Sequence, residues 1–414
     1  MSVGPGRDGE VDGRVVIVGA GHAAAQLCAS LRQEGWEGEV VLVGDEPSLP
    51  YERPPLSKGH LAGTTERDEL LLRTPAFYDK AGVTHRQGRV TAIDRDERTV
   101  ALADGEALAY DHLVLCTGAR ARPLPVDGAD LEGVHLLRDL ADVEGIRADL
   151  TDAAHAVVVG AGYVGLEVAA SLRSLAVDVT VLEAQDRALQ RVTAPPVSAF
   201  YERVHREAGV EIRLGVGVTS FVGDERVRGV RLADGGTIAA DVVVVGIGAV
   251  PRVELARDAG LPVEDGIVVD DHGRTADERV YAAGDCCNYP DARYGRRLRL
   301  ESVPSAVEQA KSVAAAICGK ERPIAALPWF WSDQYDHKLQ IAGISTGHDQ
   351  IVLRGDPDGD DGFACFYLAA GRLAAADCID QPTAFVFAKR AIGQDLSPDP
   401  AALADVDVPL ASLL

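Results

Sequence analysis

Short runs of consecutive apolar residues recur along this chain and end at glycine. Arg14-Val15-Val16-Ile17-Val18 leads into Gly19-Ala20-Gly21-His22-Ala23-Ala24, then an Ala/Leu-rich stretch over 25–33 and a second apolar run over 39–43. Apolar runs without polar alternation read as strands covered on both faces, and a helical stretch between two of them makes a βαβ unit in a parallel sheet. The same grammar returns about 140 residues later. Ala156-Val157-Val158-Val159 leads into Gly160-Ala161-Gly162-Tyr163-Val164-Gly165, a helix over 166–175 and a strand over 179–182. That period is too long for a solenoid and fits a duplicated domain. Further apolar runs at 113–116, 242–245 and 280–283 stop near Gly118, Gly246 and Gly284, the form of a strand that ends beside a bound cofactor. After about Pro328 the pattern changes to short alternating stretches over 339–344, 350–354, 363–367 and 372–378, which predict antiparallel strands, and a helix over 383–392. The fold class expected is α/β, with two Rossmann-like halves and a C-terminal α+β domain.

Each glycine-rich turn has the parts a dinucleotide needs. Gly19 permits the tight turn, Gly21 lets backbone approach a pyrophosphate, and Ala24 is small enough for close helix–strand packing. Helix N–H groups then face the phosphates. Asp45, 26 residues after Gly19, is the acid expected on a ribose hydroxyl. In the second turn Gly160, Gly162 and Gly165 complete GxGxxG, and Glu183 follows Gly160 by 23 residues at a strand end. A carboxylate there accepts from both ribose hydroxyls and repels a 2′-phosphate, which favours NADH over NADPH. Ala184 and Gln185 follow it, and Arg187 is the nearest cation. Two nucleotide sites in one chain suit a hydride donor and a flavin acceptor, NADH and FAD; the alternative is that one turn is vestigial.

Composition narrows the partners. Of 414 residues, 47% are hydrophobic and 25% charged, those of an ordinary globular protein. No apolar run approaches the roughly 18–20 residues of a membrane span. Residues 1–13 are rich in glycine and charge and read as a flexible tail, not a signal peptide. The net charge of −23 argues against a nucleic-acid or membrane-surface binder. Seven cysteines with no CxxC pair suggest a reducing cytoplasm without structural disulfides, and adjacent Cys286 and Cys287 read as packing residues.

The chain resembles the putidaredoxin-reductase-like ferredoxin reductases along nearly its whole length. The residues that carry the resemblance include Leu42-Val43-Gly44-Asp45, Pro54-Pro55-Leu56-Ser57-Lys58, Gly165-Leu166-Glu167-Val168-Ala169-Ala170 and Arg191-Val192-Thr193-Ala194-Pro195-Pro196. Ala283-Gly284-Asp285-Cys286, Glu301-Ser302-Val303-Pro304 and Trp329-Phe330-Trp331-Ser332-Asp333-Gln334-Tyr335 complete the set. The resemblance implies that FAD is touched by Ala23, Asp45, Lys58, Val90, Arg138, Asp285, Val303 and Trp331. It implies too that Glu167 lies near the nicotinamide and pairs with Lys58, making these two the catalytic residues. From the residues alone, Glu167 could be a solvated helix charge, Val90 and Val303 core, and Asp285 a helix cap. The expected domains are FAD-binding over 14–123 and 246–327, NAD-binding over 124–245, and a C-terminal reductase domain over 328–414. Cys116 stands where alanine is commoner, as a small filler or a redox-sensitive thiol. His22 is assigned no chemistry.

Relatives that reduce disulfides carry a cysteine pair on the helix after the first turn, whereas this stretch holds only Cys28. A thiol relay is therefore not expected, and a single reactive Cys28 is the residual alternative. The activity implied is transfer of electrons from NADH through FAD to a [2Fe–2S] ferredoxin serving a cytochrome P450 or Rieske oxygenase, by a monomer or weak dimer. The alternatives are rubredoxin reduction and a non-catalytic NADH-sensing flavoprotein. An acidic ferredoxin needs a local positive patch. Arg293, Arg296, Arg297 and Arg299 are the densest basic cluster, with Lys311, Lys338, Lys389 and Arg390 as further candidates; a solvated loop is the alternative reading.

Overall fold

The computed structural model describes residues 12–151, 153–359 and 361–414. They fall into two compact units. The tail expected over residues 1–13 lies, up to residue 11, outside the described residues.

The first unit is built from Met1–Glu52, Asp68–Arg120 and Val250–Ala326. Its centre is a parallel sheet in the order Val280–Ala282, His112–Leu115, Arg14–Val18, Glu39–Gly44 and Val83–Gln87. The helices His22–Glu34 and Val303–Ile317 pack against each other and share one apolar core with the sheet. The second unit takes Arg53–Arg67, Ala121–Ala249 and Leu327–Leu414. Its parallel sheet runs Glu211–Arg213, Asp178–Leu182, His155–Val159, Val242–Val245 and Val134–Leu136. In both sheets the strand before the glycine-rich turn is central. It is flanked by its βαβ partner on one side and by a glycine-terminated strand on the other. The repeat seen in the sequence is thus a repeat of topology.

The helices after the two turns start three residues sooner than the spacing predicts, at His22–Glu34 and Tyr163–Ser174. Gly21 and Gly162 are themselves the extended N-cap residues, so the last part of each motif is already helical.

The C-terminal part carries a five-stranded antiparallel sheet, ordered Trp329–Gln334, His337–Gly343, Arg372–Ile379, Phe363–Ala369 and Gln350–Gly355. Helix Pro382–Gly393 covers one face through Phe385, Phe387, Ala388 and Ile392, against Phe366, Ala376 and Cys378. The last four strands in chain order and the helix fall where the sequence predicts them; Trp329–Gln334 is an additional strand, and Phe363–Ala369 is buried nearly throughout and not alternating. Among the described residues, no helix is long and apolar enough to cross a membrane.

Candidate functional site: two dinucleotide turns and a buried ion pair

At each turn the leading glycine is forced. Gly19 and Gly160 both have φ +105°, and a Cβ on them would lie 2.2 Å from the Cys116 carbonyl oxygen and 2.5 Å from that of Gly246. Only glycine satisfies both conditions. The amide of Gly19 donates to Val43 O at 2.8 Å and that of Gly160 to Leu182 O at 2.7 Å, which clips each turn to the second βαβ strand. Gly165 packs so closely that a Cβ would sit 2.0 Å from Gly160 O, and Ala24 is fully buried in the equivalent place.

The middle glycines are different. A Cβ on Gly21 or Gly162 would meet nothing within 4 Å. Neither helix has a side-chain cap or an acidic residue in its first turn. Open space at helix starts with no side-chain cap and no acidic residue in the first turn is the form of a pyrophosphate cradle, so both turns fit a bound dinucleotide.

Of the predicted FAD residues, Ala23, Asp45, Val90, Asp285 and Val303 belong to the first unit. Gly284, at φ +91°, would place a Cβ 3.3 Å from that of Ala23, so the Gly284-Asp285 turn lies against the start of the first helix. The Gly284 amide donates to Oε1 of Gln309 at 2.6 Å, and Gln309 is fully buried on the Val303–Ile317 helix. That helix begins at Val303, capped by the Ser302 hydroxyl, which accepts from the Ser305 amide. Asp285 precedes the strand Cys287–Asp291 and not a helix, so the capping alternative for it is not realised. Asp45 is exposed at the end of Glu39–Gly44, with Arg252 Nη1 at 3.8 Å from its carboxylate. Val90 is buried at the head of the strand Val90–Asp94.

In the second unit, the carboxylate of Glu183 accepts from the Ala161 amide at 2.7 Å and from the Gln185 amide at 2.9 Å. It is thereby held over the turn with oxygen lone pairs to spare. Arg187 is engaged elsewhere, donating to Ser198 Oγ at 2.6 Å and to Gln190 O at 3.0 Å. The nearest cation expected from the sequence is thus committed to the protein. Glu183→Ala is expected to lower kcat/KM for NADH by about tenfold, the worth of hydrogen bonds to a charged group, while NADPH turnover holds or rises. Equal losses with both coenzymes would overturn that role.

The Lys58–Glu167 pair lies wholly within the second unit. Lys58 Nζ is 2.8 Å from Oε2 of Glu167, with side-chain exposures of 21% and 5%. Glu167 is therefore not a solvated helix charge. The Ser57 hydroxyl also donates to Oε2, at 2.6 Å, and the Ser332 hydroxyl donates to Oε1, at 2.6 Å. The 54–58 segment is pinned to helix Tyr163–Ser174 by the Ser171 hydroxyl, which donates to Ser57 O at 2.8 Å. Arg138 lies beside the same segment, its carbonyl accepting from Arg53 Nη1 at 2.8 Å. Trp331 is half-buried on Trp329–Gln334, with the Trp329 ring centroid 5.6 Å away.

Sequence reasoning missed Ser57, Ser332, Gln334 and His205. The signal was in the strand Trp329–Gln334, where burial alternates so that Ser332 and Gln334 face inward and the neighbouring aromatics lie less buried. Polar residues at a period of two among large apolar ones mark a strand face that buries chemistry.

All seven cysteines are free and buried. Burial pushes the Cys28 thiol up to about 12, and it raises Cys116, Cys286 and Cys287 likewise. Full burial with a raised pKa disfavours a thiolate at Cys28 and favours Cys116 as a filler.

The basic cluster is smaller than the sequence suggests. Arg297 turns inward, donating to Asn288 Oδ1 at 3.1 Å and to Val269 O at 2.5 Å. Arg299 is 13% exposed and paired with Asp265 at 3.1 Å and Glu301 at 2.6 Å. Lys311 pairs with Glu308 at 2.5 Å, and the Lys389 ammonium lies 5.0 Å over the Trp329 ring. Arg293, Arg296, Lys338 and Arg390 are exposed.

Comparison with known proteins agrees with this anatomy. The family model of pyridine nucleotide-disulphide oxidoreductases matches residues 13–310, and the reductase C-terminal model matches residues 329–414. The chain is 46% identical over 407 residues to putidaredoxin reductase CamA of Pseudomonas putida, covering 97% of this chain and 96% of that one. It is 44% identical to rhodocoxin reductase of Rhodococcus erythropolis, over 96% of this chain and 94% of that one. Among solved structures, the ferredoxin reductase for the CYP199A2 system of Rhodopseudomonas palustris superposes with a TM-score of 0.94 at 41% identity, covering 96% of this chain and 99% of that one. The reductase in a covalent putidaredoxin reductase–putidaredoxin complex gives 0.93 at 45% identity, covering 97% and 98%.

Proposed function

Since the chain belongs to the pyridine nucleotide-disulphide oxidoreductase family and ends in that family's reductase C-terminal domain, we infer that it is an NADH:ferredoxin oxidoreductase using FAD. It serves a cytochrome P450 or oxygenase system, as its relatives' names describe for them. The observation that carries the reading is the pairing of two complete dinucleotide cradles with seven cysteines that are all free and buried: electrons that enter from a nicotinamide meet no exposed dithiol.

The division of labour we propose is FAD on Gly19, Gly21, Ala23, Ala24, Asp45, Val90, Asp285 and Val303, with Lys58, Arg138 and Trp331 completing its surroundings. NADH is assigned to Gly160, Gly162, Gly165 and Glu183. The corresponding domains are 14–123 with 246–327 for FAD, 124–245 for NAD and 328–414 for the reductase domain. When bound, FAD supplies the conversion of a two-electron hydride donor into single electrons. The protein's own part is positioning. The first helix directs its N–H groups at one pyrophosphate and the second helix at the other. With FAD bound, Lys58 would hold a positive charge where electron density accumulates, and Glu167, 2.8 Å from its ammonium, would fix the direction of that ammonium.

The acceptor we propose is a [2Fe–2S] ferredoxin, met by a monomer or weak dimer in the cytoplasm; seven free buried cysteines suit a reducing compartment. Its docking contacts are assigned to exposed Arg293 and Arg296, with Lys338 as a further contact, in place of the inward Arg297 and Arg299. The test uses purified holoenzyme with NADH, a panel of ferredoxins and a rubredoxin, followed by cytochrome c reduction. Fast reduction that depends on a ferredoxin supports the reading; turnover only with rubredoxin, or none with any carrier, overturns it. Arg293→Glu/Arg296→Glu is expected to raise KM for ferredoxin several-fold and leave NADH–ferricyanide turnover unchanged. Unchanged ferredoxin kinetics would remove these arginines from the interface.

A further inference from the structure

The Glu167 carboxylate is the end of a buried polar chain that the ion pair does not account for. Ser332 Oγ lies 2.6 Å from Glu167 Oε1, and Gln334 Nε2 lies 3.2 Å from Ser332 Oγ. Gln334 Oε1 is 2.9 Å from Nε2 of His205, and Nδ1 of His205 is 3.3 Å from the Tyr335 hydroxyl. Ser332 and His205 are fully buried and Gln334 is 1% exposed. All these residues belong to the second unit.

The direction of every bond follows from the first. An ionised carboxylate only accepts, so the single Ser332 proton points at Glu167. Ser332 Oγ must then accept from the Gln334 amide nitrogen, which turns the Gln334 oxygen towards His205. His205 must donate from Nε2 and accept at Nδ1 from the Tyr335 hydroxyl. Burial pushes His205 down to about 4, so the ring is neutral and carries one proton, as this pattern requires. Each donor therefore points towards Glu167, and bonds so aligned polarise one another in a low-dielectric interior. The far end is held at some backbone expense, since Tyr335 is a non-glycine residue at φ +53° in the turn after the strand.

We propose that Ser332, Gln334 and His205, closed by Tyr335, are positioning residues for Glu167: a one-directional donor chain that engages Oε1 of its carboxylate, leaving Oε2 to Lys58 and Ser57. This rests on the reading that the Lys58–Glu167 pair serves reduction by NADH. The chain also makes the His205 tautomer a report on the direction of the bond at Glu167, because reversing any one bond reverses all of them.

Two experiments test it. Nitrogen-15 NMR of the histidine rings, with His205 assigned by its loss in His205→Gln, is expected to show the Nε2–H tautomer throughout the neutral range. An Nδ1–H tautomer, or a protonated ring near neutrality, overturns the chain. Stopped-flow reduction of the holoenzyme by NADH is expected to slow about tenfold in both Ser332→Ala and Gln334→Met, the worth of a hydrogen bond to a charged group, and to recover in Ser332→Thr, which keeps the hydroxyl. In a Glu167→Gln background, Ser332→Ala should slow reduction no further. If it slows reduction equally there, or if Ser332→Thr fails to recover, the effect does not run through Glu167 and the proposal falls. If Glu167→Gln is itself as fast as wild type, the proposal falls together with the role of the ion pair. Ferredoxin reduction by the wild-type enzyme then still decides the overall function.

Discussion

Gly162→Ala is expected to give a folded, yellow protein that NADH scarcely reduces, and Gly21→Ala a folded protein that purifies without its flavin. Gly21 and Gly162 are N-caps at φ −105° and −79°, which alanine adopts without strain, and their Cβ positions are open to 4 Å. The protein itself therefore does not object, beyond about 1 kcal/mol for losing a good N-cap residue. On the proposed assignment, the methyl group would occupy the space through which a pyrophosphate approaches the helix amides. A displacement of about 1 Å at such a cradle costs about 10²-fold, so the affinity lost should be of that order or more. Flavin absorbance per protein, NAD⁺ titration and thermal melts separate the outcomes. Gly162→Ala losing flavin while keeping NAD⁺ affinity would exchange the two assignments. Gly19→Ala and Gly160→Ala are the contrasting pair: a left-handed φ and a Cβ within 2.2 and 2.5 Å of a carbonyl oxygen should prevent folding and not merely binding.

Replacing Lys58 by Met is expected to slow reduction by NADH about 10²-fold, the usual consequence of deleting one preorganised electrostatic group at a reacting centre. It should also destabilise the protein by about 3 kcal/mol, because it strands a buried carboxylate with only hydroxyl donors. Glu167→Gln should match it in rate and differ in stability. The ammonium left behind is 21% exposed and reaches water, whereas the carboxylate left by Lys58→Met is 5% exposed. Chemical denaturation of the two variants therefore reads the asymmetry directly, and equal losses of stability would show that the pair is not held as described. A normal rate in Lys58→Met would remove the ammonium from the chemistry, whatever the stability.

The ion pair also shows where reading the sequence stops. Lys58 and Glu167 are 109 residues apart, and their pairing is implied by family resemblance, not by spacing. Ser57 sits in a segment already singled out, but which oxygen of Glu167 it meets depends on helix Tyr163–Ser174 holding that segment through Ser171. His205 gives no local signal at all. It is one polar residue on an amphipathic helix, and only the antiparallel sheet brings Gln334 to it. The basic cluster fails in the opposite sense. Four arginines within seven residues look like a patch, yet Arg297 and Arg299 are consumed by carbonyls and carboxylates from distant parts of the first unit.

The sequence by itself determined the parts that are local. Apolar runs fixed the strands, glycine at forced φ fixed the two turns, and the acids at 45 and 183 fell at strand ends, because a strand, a turn and a helix N-terminus are specified within about 30 residues. Tertiary structure alone decided which charges are buried, which are cancelled and which way each hydrogen bond points. Those properties belong to pairs of residues far apart in the chain, and they exist only once folding has removed water from between them.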